Sequence, residues 1–119
     1  MNKSNTEFLV KMYPFLYEAC KIFECGDGWF HLINELSKDL EPLAKDLYNP
    51  EEFSTPNAIQ VKEKYGLLRF YMSTETEEMS KLIRFAEASS AQICEICGKK
   101  GSPKHRNGWY ATRCEECDF

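Results

Sequence analysis

The chain has 119 residues, of which 43% are hydrophobic and 13% are aromatic, and this composition is typical of one globular domain rather than a disordered segment. Its net charge of −4 is unevenly spread: residues 1–92 hold ten basic and fifteen acidic side chains, whereas residues 93–119 hold five and four. The field of the whole molecule therefore does not attract nucleic acid or acidic membranes, and any anion-binding surface has to be local.

The sequence also indicates the cellular compartment of the protein. No apolar run is long enough to span a bilayer, and the polar residues 1–7 do not resemble the start of a signal peptide. We therefore expect a cytoplasmic protein without a membrane partner. In a reducing cytoplasm, paired cysteines indicate a metal site or redox chemistry rather than a disulfide framework.

The N-terminal residues predict a helix. Apolar side chains recur at helical spacing between Phe8 and Phe23, and Pro14 interrupts them. Proline is well suited to the first position of a helix, so we predict a helix over roughly 14–24, preceded by at most a turn or two.

A second, longer helix is predicted after a glycine-containing turn. Gly26 is suited to the end of the first helix and Asp27 to the N-cap of the next one. Apolar residues then form an amphipathic stripe over 29–47, in which Pro42 is expected to kink or split the helix.

The middle of the chain predicts a β-hairpin over 58–72. Two alternating runs flank the glycine turn at Tyr65–Gly66. Ile59 and Val61 are predicted to share one face of the first strand. Leu68, Phe70 and Met72 are predicted to share one face of the second strand and to pack on the helices. A capping pattern that begins at Thr74 then predicts a helix over 75–93, which leads directly into the tail.

The tail, residues 94–119, contains the strongest motif of the chain. Cys94-x-x-Cys97 and Cys114-x-x-Cys117 are separated by sixteen residues, the spacing of a site in which four thiolates bind one zinc ion. Four sulfurs fill a tetrahedral shell and leave no position for water, so the predicted site is structural rather than catalytic. Unligated thiols at chance spacing are the alternative.

The segment between the two cysteine pairs predicts two short strands. Asn107-Gly108 is a strong hairpin-turn signal between Ser102–Arg106 and Trp109–Arg113. The tail is therefore predicted to be a zinc ribbon or a truncated treble clef. The ribbon is favoured because only two residues follow the second pair.

The other two cysteines and His105 are interpreted as structural residues without a catalytic or metal-binding role. Cys20 and Cys25 are predicted to be buried thiols rather than nucleophiles, because no histidine or base is evident beside them. His105 is predicted to be exposed, because four cysteines already complete a metal shell.

Basic and aromatic residues also cluster in the tail, a combination that can bind a nucleic-acid backbone and stack bases. The candidate contacts are Lys99, Lys100, Lys104, Arg106 and Trp109. Acidic residues nearby in sequence weaken this interpretation, and the alternative is a solvated ribbon whose Trp109 packs on the helices. Lys62, Lys64 and Arg69 on the hairpin are interpreted as a solvated face.

Three blocks together resemble a known family. They are residues 24–29, residues 60–71 with the sequence QVKEKYGLLRFY, and the tail from Cys94 to Cys114. Their order is similar to that of small uncharacterised proteins from bacterial and phage genomes, over most of residues 14–117. The resemblance implies a bacterial or phage cytoplasmic protein and transfers no activity. Some relatives end the tail with a histidine, a position that Cys117 matches by spacing.

These observations predict an α+β fold. A helical core with one β-hairpin, residues 1–93, is expected to pack with a zinc-ribbon-like tail, residues 94–119, as one domain.

Three functional hypotheses remain open. The leading one is a protein-binding module, in keeping with a phage or prophage factor that modulates a host protein, with the acidic face of the 29–47 helix or the hairpin as its contact surface.

The second hypothesis is a nucleic-acid-binding or transcription-associated zinc ribbon. The third is an enzyme, which the absence of convergent acids, bases or an open metal position disfavours.

Overall fold

A computed structural model describes residues 1–52 and 55–118. The order of elements is α1 (Lys3–Met12), β1 (Phe23–Glu24), α2 (Phe30–Leu47), β2 (Ala58–Lys64), β3 (Leu67–Met72), α3 (Glu77–Ser89), β4 (Ser102–Arg106) and β5 (Trp109–Arg113). Two short 3-10 helices, Asp27–Trp29 and Ser90–Gln92, precede α2 and follow α3. The fold is α+β, as predicted. No helix among the described residues is both long and apolar enough to cross a membrane.

The predicted helix over 14–24 is wrong. The N-terminal helix is α1, which begins after Asn2, whose side chain accepts a hydrogen bond from the Asn5 backbone N–H at 2.7 Å. Residues 13–20 form turns because tertiary partners take their backbone groups. Leu16 N–H donates to a Glu41 carboxylate oxygen at 2.7 Å, and Leu16 C=O accepts from Ala58 N–H at 2.9 Å.

The predicted long helix is confirmed, with different boundary residues. Gly26, rather than Asp27, caps the 3-10 turn that leads into α2. The Asp27 carboxylate instead accepts hydrogen bonds from the Asn2 backbone N–H and the Asn5 side chain. Pro42 lies inside α2 without splitting it.

The hairpin is confirmed, and it belongs to a three-stranded sheet. β2 and β3 pair antiparallel, and β1, which the sequence did not predict, pairs parallel with β2. A bulge between Ala58 and Gln60 separates Ile59 from Val61, so the prediction that these two share a face is wrong. Ile59 is 54% exposed, whereas Val61 is fully buried.

One hydrophobic core lies between the sheet and the helices. Leu68 and Phe70 face it from β3, as predicted, and α3 packs against both β3 and α2. The largest fully buried side chains are Trp29, Tyr17, Leu9, Leu16, Ile33, Leu40, Leu68 and Met79. This core positions the end of α3, from which the tail departs.

Local sequence preferences also determine where α3 begins and where the hairpin of the tail turns. The N-cap of α3 is Thr76, whose hydroxyl accepts a hydrogen bond from the Met79 N–H, and not Thr74. β4 and β5 form the second predicted hairpin. Its turn has φ values of +53° at Asn107 and +79° at Gly108, the left-handed conformation that an Asn-Gly pair favours.

Candidate metal centre

The four tail cysteines converge at one point. The first pair follows the 3-10 turn after α3, and the β4–β5 hairpin returns the chain so that the second pair lies beside it. The Sγ atoms of Cys94, Cys97, Cys114 and Cys117 all lie within 4.8 Å of one another. The prediction that these cysteines come together is confirmed, and they are close enough to bind a metal ion.

The spacing of the sulfurs fits a tetrahedral ion. Zinc–thiolate bonds of about 2.3 Å in a tetrahedron place neighbouring sulfurs about 3.8 Å apart. The Sγ atoms of Cys97 and Cys114 are 3.5 Å apart, and the complete set lies within 4.8 Å. The side chains therefore need only small rotations to close around an ion.

Backbone N–H groups surround the first sulfur of the cluster. Burial raises the pKa of the Cys94 thiol, but hydrogen bonds from the backbone N–H groups of Cys97, Cys114 and Ile96 outweigh it and lower that pKa to about 6. Hydrogen bonding among the sulfurs, chiefly with Cys114, raises the pKa of Cys117 to about 12. Metal binding requires deprotonated thiols, and a cation at the centre of the four sulfurs would stabilise all four thiolates.

The cluster is half embedded in the protein. Cys94 is fully buried and Cys114 is 8% exposed, whereas Cys97 is exposed. Gly98, with a φ of +83°, turns the chain after the first pair, and its N–H donates to the Cys94 carbonyl at 2.9 Å. The Arg113 guanidinium donates to the Cys117 carbonyl at 3.0 Å and so supports the second pair.

The glycine-rich segment before α2 holds the first cysteine pair against the core. Gly28 N–H donates to the Glu95 carbonyl at 2.7 Å, and Gly26 N–H donates to the Glu95 carboxylate at 2.9 Å. A side chain at Gly28 would place its Cβ 2.0 Å from the Cys94 carbonyl oxygen. This close approach requires glycine. The Trp29 indole Nε1 completes the attachment with a hydrogen bond to the Ile93 carbonyl at 2.8 Å.

The turn of the first hairpin holds the other side of the tail. The Thr112 hydroxyl donates to the Gly66 carbonyl at 2.6 Å, and the rings of Tyr65 and Tyr110 meet edge to face at 5.9 Å. Glu95 N–H donates to the Thr112 carbonyl at 3.0 Å and links the two attachments. Residues from the segments 24–29 and 60–71 thus meet the tail around the cysteine cluster.

Sequence reasoning missed two residues of this arrangement. Glu95 and Thr112 connect the tail to the core, but a glutamate inside a Cys-x-x-Cys motif and a threonine in a strand carry no local signal of such contacts. The Gly26–Trp29 segment did carry a local signal of its contact with the tail, because two glycines before a tryptophan allow another backbone to approach closely.

Three basic residues of the tail have acidic partners. Lys99 forms an ion pair with Glu116 at 3.2 Å, and Lys104 forms one with Asp118 at 3.3 Å. Arg106 lies 3.6 Å from the same Asp118 carboxylate oxygen. An open cleft of about 480 Å³, in which Lys100 also lies, has Glu115 and Glu116 in its wall. The tail therefore offers phosphate groups little unpaired positive charge.

The remaining candidate residues lie outside the cysteine cluster. His105 is exposed, as predicted, and stacks on Tyr110 with ring centroids 4.2 Å apart. Cys20 and Cys25 are each 8% exposed and lie in the hydrophobic core, which confirms the prediction that both are buried. Trp109 is 67% exposed, so the interpretation in which it packs on the helices is wrong.

The chain matches none of the protein-family models, curated proteins or solved structures with which it was compared.

Proposed function

We propose that this chain is a small zinc-stabilised protein-binding module that recognises a basic, amphipathic segment of its partner. The zinc ion would be held by Cys94, Cys97, Cys114 and Cys117 in a ribbon-like tail, and its role would be structural. Thiolates favour zinc among the common cellular cations, and four of them fill its tetrahedral shell. The support for zinc is the all-sulfur donor set and its spacing.

The observation that carries the binding hypothesis is the groove between α2 and α3. Its central part is lined by Leu32, Leu36 and Leu82 and flanked by Phe85, which is 74% exposed. A second depression lies between the other end of α2 and the start of α3, where Leu43 and Leu47 line it. The first depression has a volume of about 120 Å³ and its leucines are buried or half-buried, so its exposed apolar surface is chiefly that of Phe85. Exposed apolar surface of this kind is a common feature of interaction sites.

The rim of this groove is acidic. Glu35 and Asp39 line the first depression, and Asp46 and Glu78 line the second. None of these four carboxylates forms an ion pair within the described part of the chain. Complementary charge selects partners and accelerates association, so the expected partner segment is apolar on one face and rich in lysine or arginine at its flanks.

A helix is the favoured conformation for that segment. An amphipathic helix can lay apolar residues spaced three and four apart into a groove between two helices. The family resemblance adds the expectation that the partner is a bacterial host protein whose activity the module modulates or inhibits.

A defined peptide tests this proposal. The probe is an amphipathic helix of about 15 residues with leucine along one face and lysine elsewhere. A glutamate-for-lysine version serves as the charge control. We expect the zinc-loaded protein to bind the lysine peptide in preference to the glutamate peptide. Phe85→Ser should weaken that binding about tenfold or more, as expected for a central aromatic contact.

Ile22→Ser is the matched control variant. Ile22 is 71% exposed but lies outside the groove, so its replacement should leave peptide binding unchanged. Affinity capture from nuclease-treated bacterial lysate, with wild-type and Phe85→Ser protein as parallel baits, then identifies partners that need the groove. Equal binding of both peptides, or identical protein capture by both baits, would overturn the proposal.

A further inference from the structure

The face of the β1–β2–β3 sheet that points away from the core has a composition of its own. Side chains alternate between the two faces of a strand, and Val61, Leu68 and Phe70 identify the inward face because they are buried. The strand register then places a distinct set on the opposite face, hereafter the outer sheet face: Glu24, Gln60, Lys62, Lys64, Leu67, Arg69 and Tyr71. The hydrogen bond from Gln60 Nε2 to the Glu24 carboxylate at 3.4 Å agrees with this placement.

This face concentrates positive charge on a molecule of net charge −4. Lys62 lies directly opposite Arg69 in the ladder, and Lys64 lies two residues further along β2. None of the three forms an ion pair with any part of the chain that the structure describes. Like charges on directly opposed strand residues are unfavourable. Glu24, which pairs with Lys62 on the same face, accepts a hydrogen bond from Gln60 and leaves this face with three cations to one anion.

The contrast with the tail is direct. Lys99 and Lys104 each have an acidic partner at 3.2–3.3 Å, so a carboxylate of the chain competes with any phosphate for each of them. The cations of the outer sheet face remain available to a ligand. The sequence pointed to the tail as the basic surface, but ion pairing makes the sheet the better candidate.

Aromatic rings accompany these cations. Tyr71 neighbours Arg69 along β3 on the same face and is 39% exposed, and Tyr65 at the hairpin turn is 69% exposed. The Lys64 ammonium lies 5.7 Å from the centre of the Tyr65 ring. A face that combines cations with exposed rings suits a ligand with both negative charge and flat apolar surfaces.

We propose that the outer sheet face binds single-stranded nucleic acid, with Tyr71 of that face and Tyr65 at the adjoining hairpin turn stacking on bases and with Lys62, Lys64 and Arg69 contacting phosphates. A single strand exposes its bases for stacking, whereas a duplex hides them and an acidic polypeptide has none. This binding surface is separate from the α2–α3 groove, because the sheet face points away from the core that the helices cover. It therefore goes beyond the protein-binding function proposed above.

Fluorescence anisotropy with a labelled oligothymidylate of about 12 nucleotides tests the proposal. We expect binding by the zinc-loaded protein that weakens steeply between about 50 and 200 mM salt. The double variant Lys62→Gln, Arg69→Gln should weaken binding and lower the slope of log K against log salt by about 1.4, since each phosphate contact on a single strand contributes about 0.7. Tyr71→Leu should weaken binding about tenfold without changing that slope.

The double variant Lys99→Gln, Lys104→Gln is the matched control, because it removes the same charge from cations that already have acidic partners. It should bind the oligonucleotide like the wild type. The melting temperature and zinc content of every variant establish that it is folded.

Three outcomes would overturn the proposal. The first is no binding by the wild type at about 50 mM salt, the low end of the salt range in which phosphate contacts are strong. The second is loss of binding in the tail variant with retention in the sheet variant. The third is a pair of results: polyglutamate displaces the labelled oligonucleotide as well as unlabelled oligonucleotide does, and Tyr71→Leu binds the oligonucleotide as tightly as the wild type. That pair would assign the face to an acidic protein segment.

Discussion

The indole Nε1 of Trp29 donates a hydrogen bond of 2.8 Å to the carbonyl oxygen of Ile93, the residue before the first cysteine of the cluster. Trp29 is fully buried and belongs to the hydrophobic core. One side chain therefore fills the core and also satisfies a backbone group at the entrance to the candidate metal centre. We expect the stability of the core and the binding of the metal to be thermodynamically coupled through this contact.

Trp29→Phe should reveal that coupling. The substitution leaves the Ile93 carbonyl without its donor and leaves a small cavity, so we expect a loss of about 2–3 kcal/mol in the free energy of unfolding. The zinc affinity should fall as well, which competition with a chromogenic chelator measures. Trp109→Phe is the control, because an exposed tryptophan outside the core should change stability by less than about 0.5 kcal/mol. Equal stability and zinc affinity in both variants would contradict the coupling.

Gly28→Ala should destabilise the same junction through a steric clash. The new methyl group would lie 2.0 Å from the Cys94 carbonyl oxygen, which belongs to the backbone and cannot rotate away. We expect a loss of about 2–3 kcal/mol in urea denaturation. Gly108→Ala is the comparison: its φ is +79°, but no atom lies within 4 Å of the added carbon, so a cost of about 1 kcal/mol is expected from backbone strain alone. A smaller effect at Gly28 than at Gly108 would be inconsistent with this packing.

Loss of one thiolate should lower both metal content and stability. Cys97→Ser and Cys114→Ser each remove one ligand, and a chelator should have a similar effect on the wild type, because metal-binding free energy contributes to folding. We expect a decrease of more than about 10 °C in melting temperature, corresponding to roughly 2 kcal/mol or more for a domain of this size. His105→Ala should bind zinc like the wild type. An unchanged melting temperature in both cysteine variants, with no zinc in the purified wild type, would refute the structural site.

Patterns with a strong local cause predicted the fold well. The amphipathic stripe of α2 and the Asn107-Gly108 turn each reflect a preference of a few neighbouring residues, and both appear in the structure. The convergence of the cysteines was predictable because two knuckles and one hairpin have few ways to fold. The identity of the metal and of the partner stays a prediction.

The errors lie where distant residues override local preference. Residues 13–20 have helical spacing, but Glu41, Asn57 and Ala58 take backbone groups that a helix would have used. The bulge at Ile59 has a related cause, because Ala58 is held by Leu16. No pattern within a short window contains these contacts.

Substitution of Glu41 tests whether tertiary hydrogen bonds prevent residues 13–20 from forming a helix. One of its carboxylate oxygens accepts the Leu16 N–H at 2.7 Å, and the side chain is only 7% exposed. Glu41→Leu removes the acceptor and leaves a buried N–H unpaired, so we expect a loss of about 2 kcal/mol. Glu41→Gln keeps an acceptor at that position and should cost less. A leucine variant at least as stable as the glutamine variant would show that this hydrogen bond does not hold the 13–20 segment.

Cys25 should be chemically inert in the folded protein. Burial raises the pKa of its thiol to about 12, so at pH 8 only about one molecule in 10⁴ carries the reactive thiolate. Alkylation at pH 8 followed by peptide mapping should label the exposed Cys97 after chelation, and Cys25 only after denaturation. Because the zinc-loaded, chelated and denatured samples have the same sequence, they control for one another. Modification of Cys25 in the zinc-loaded protein would show an accessible, activated thiol, and it would restore the nucleophilic enzyme as a hypothesis for this chain.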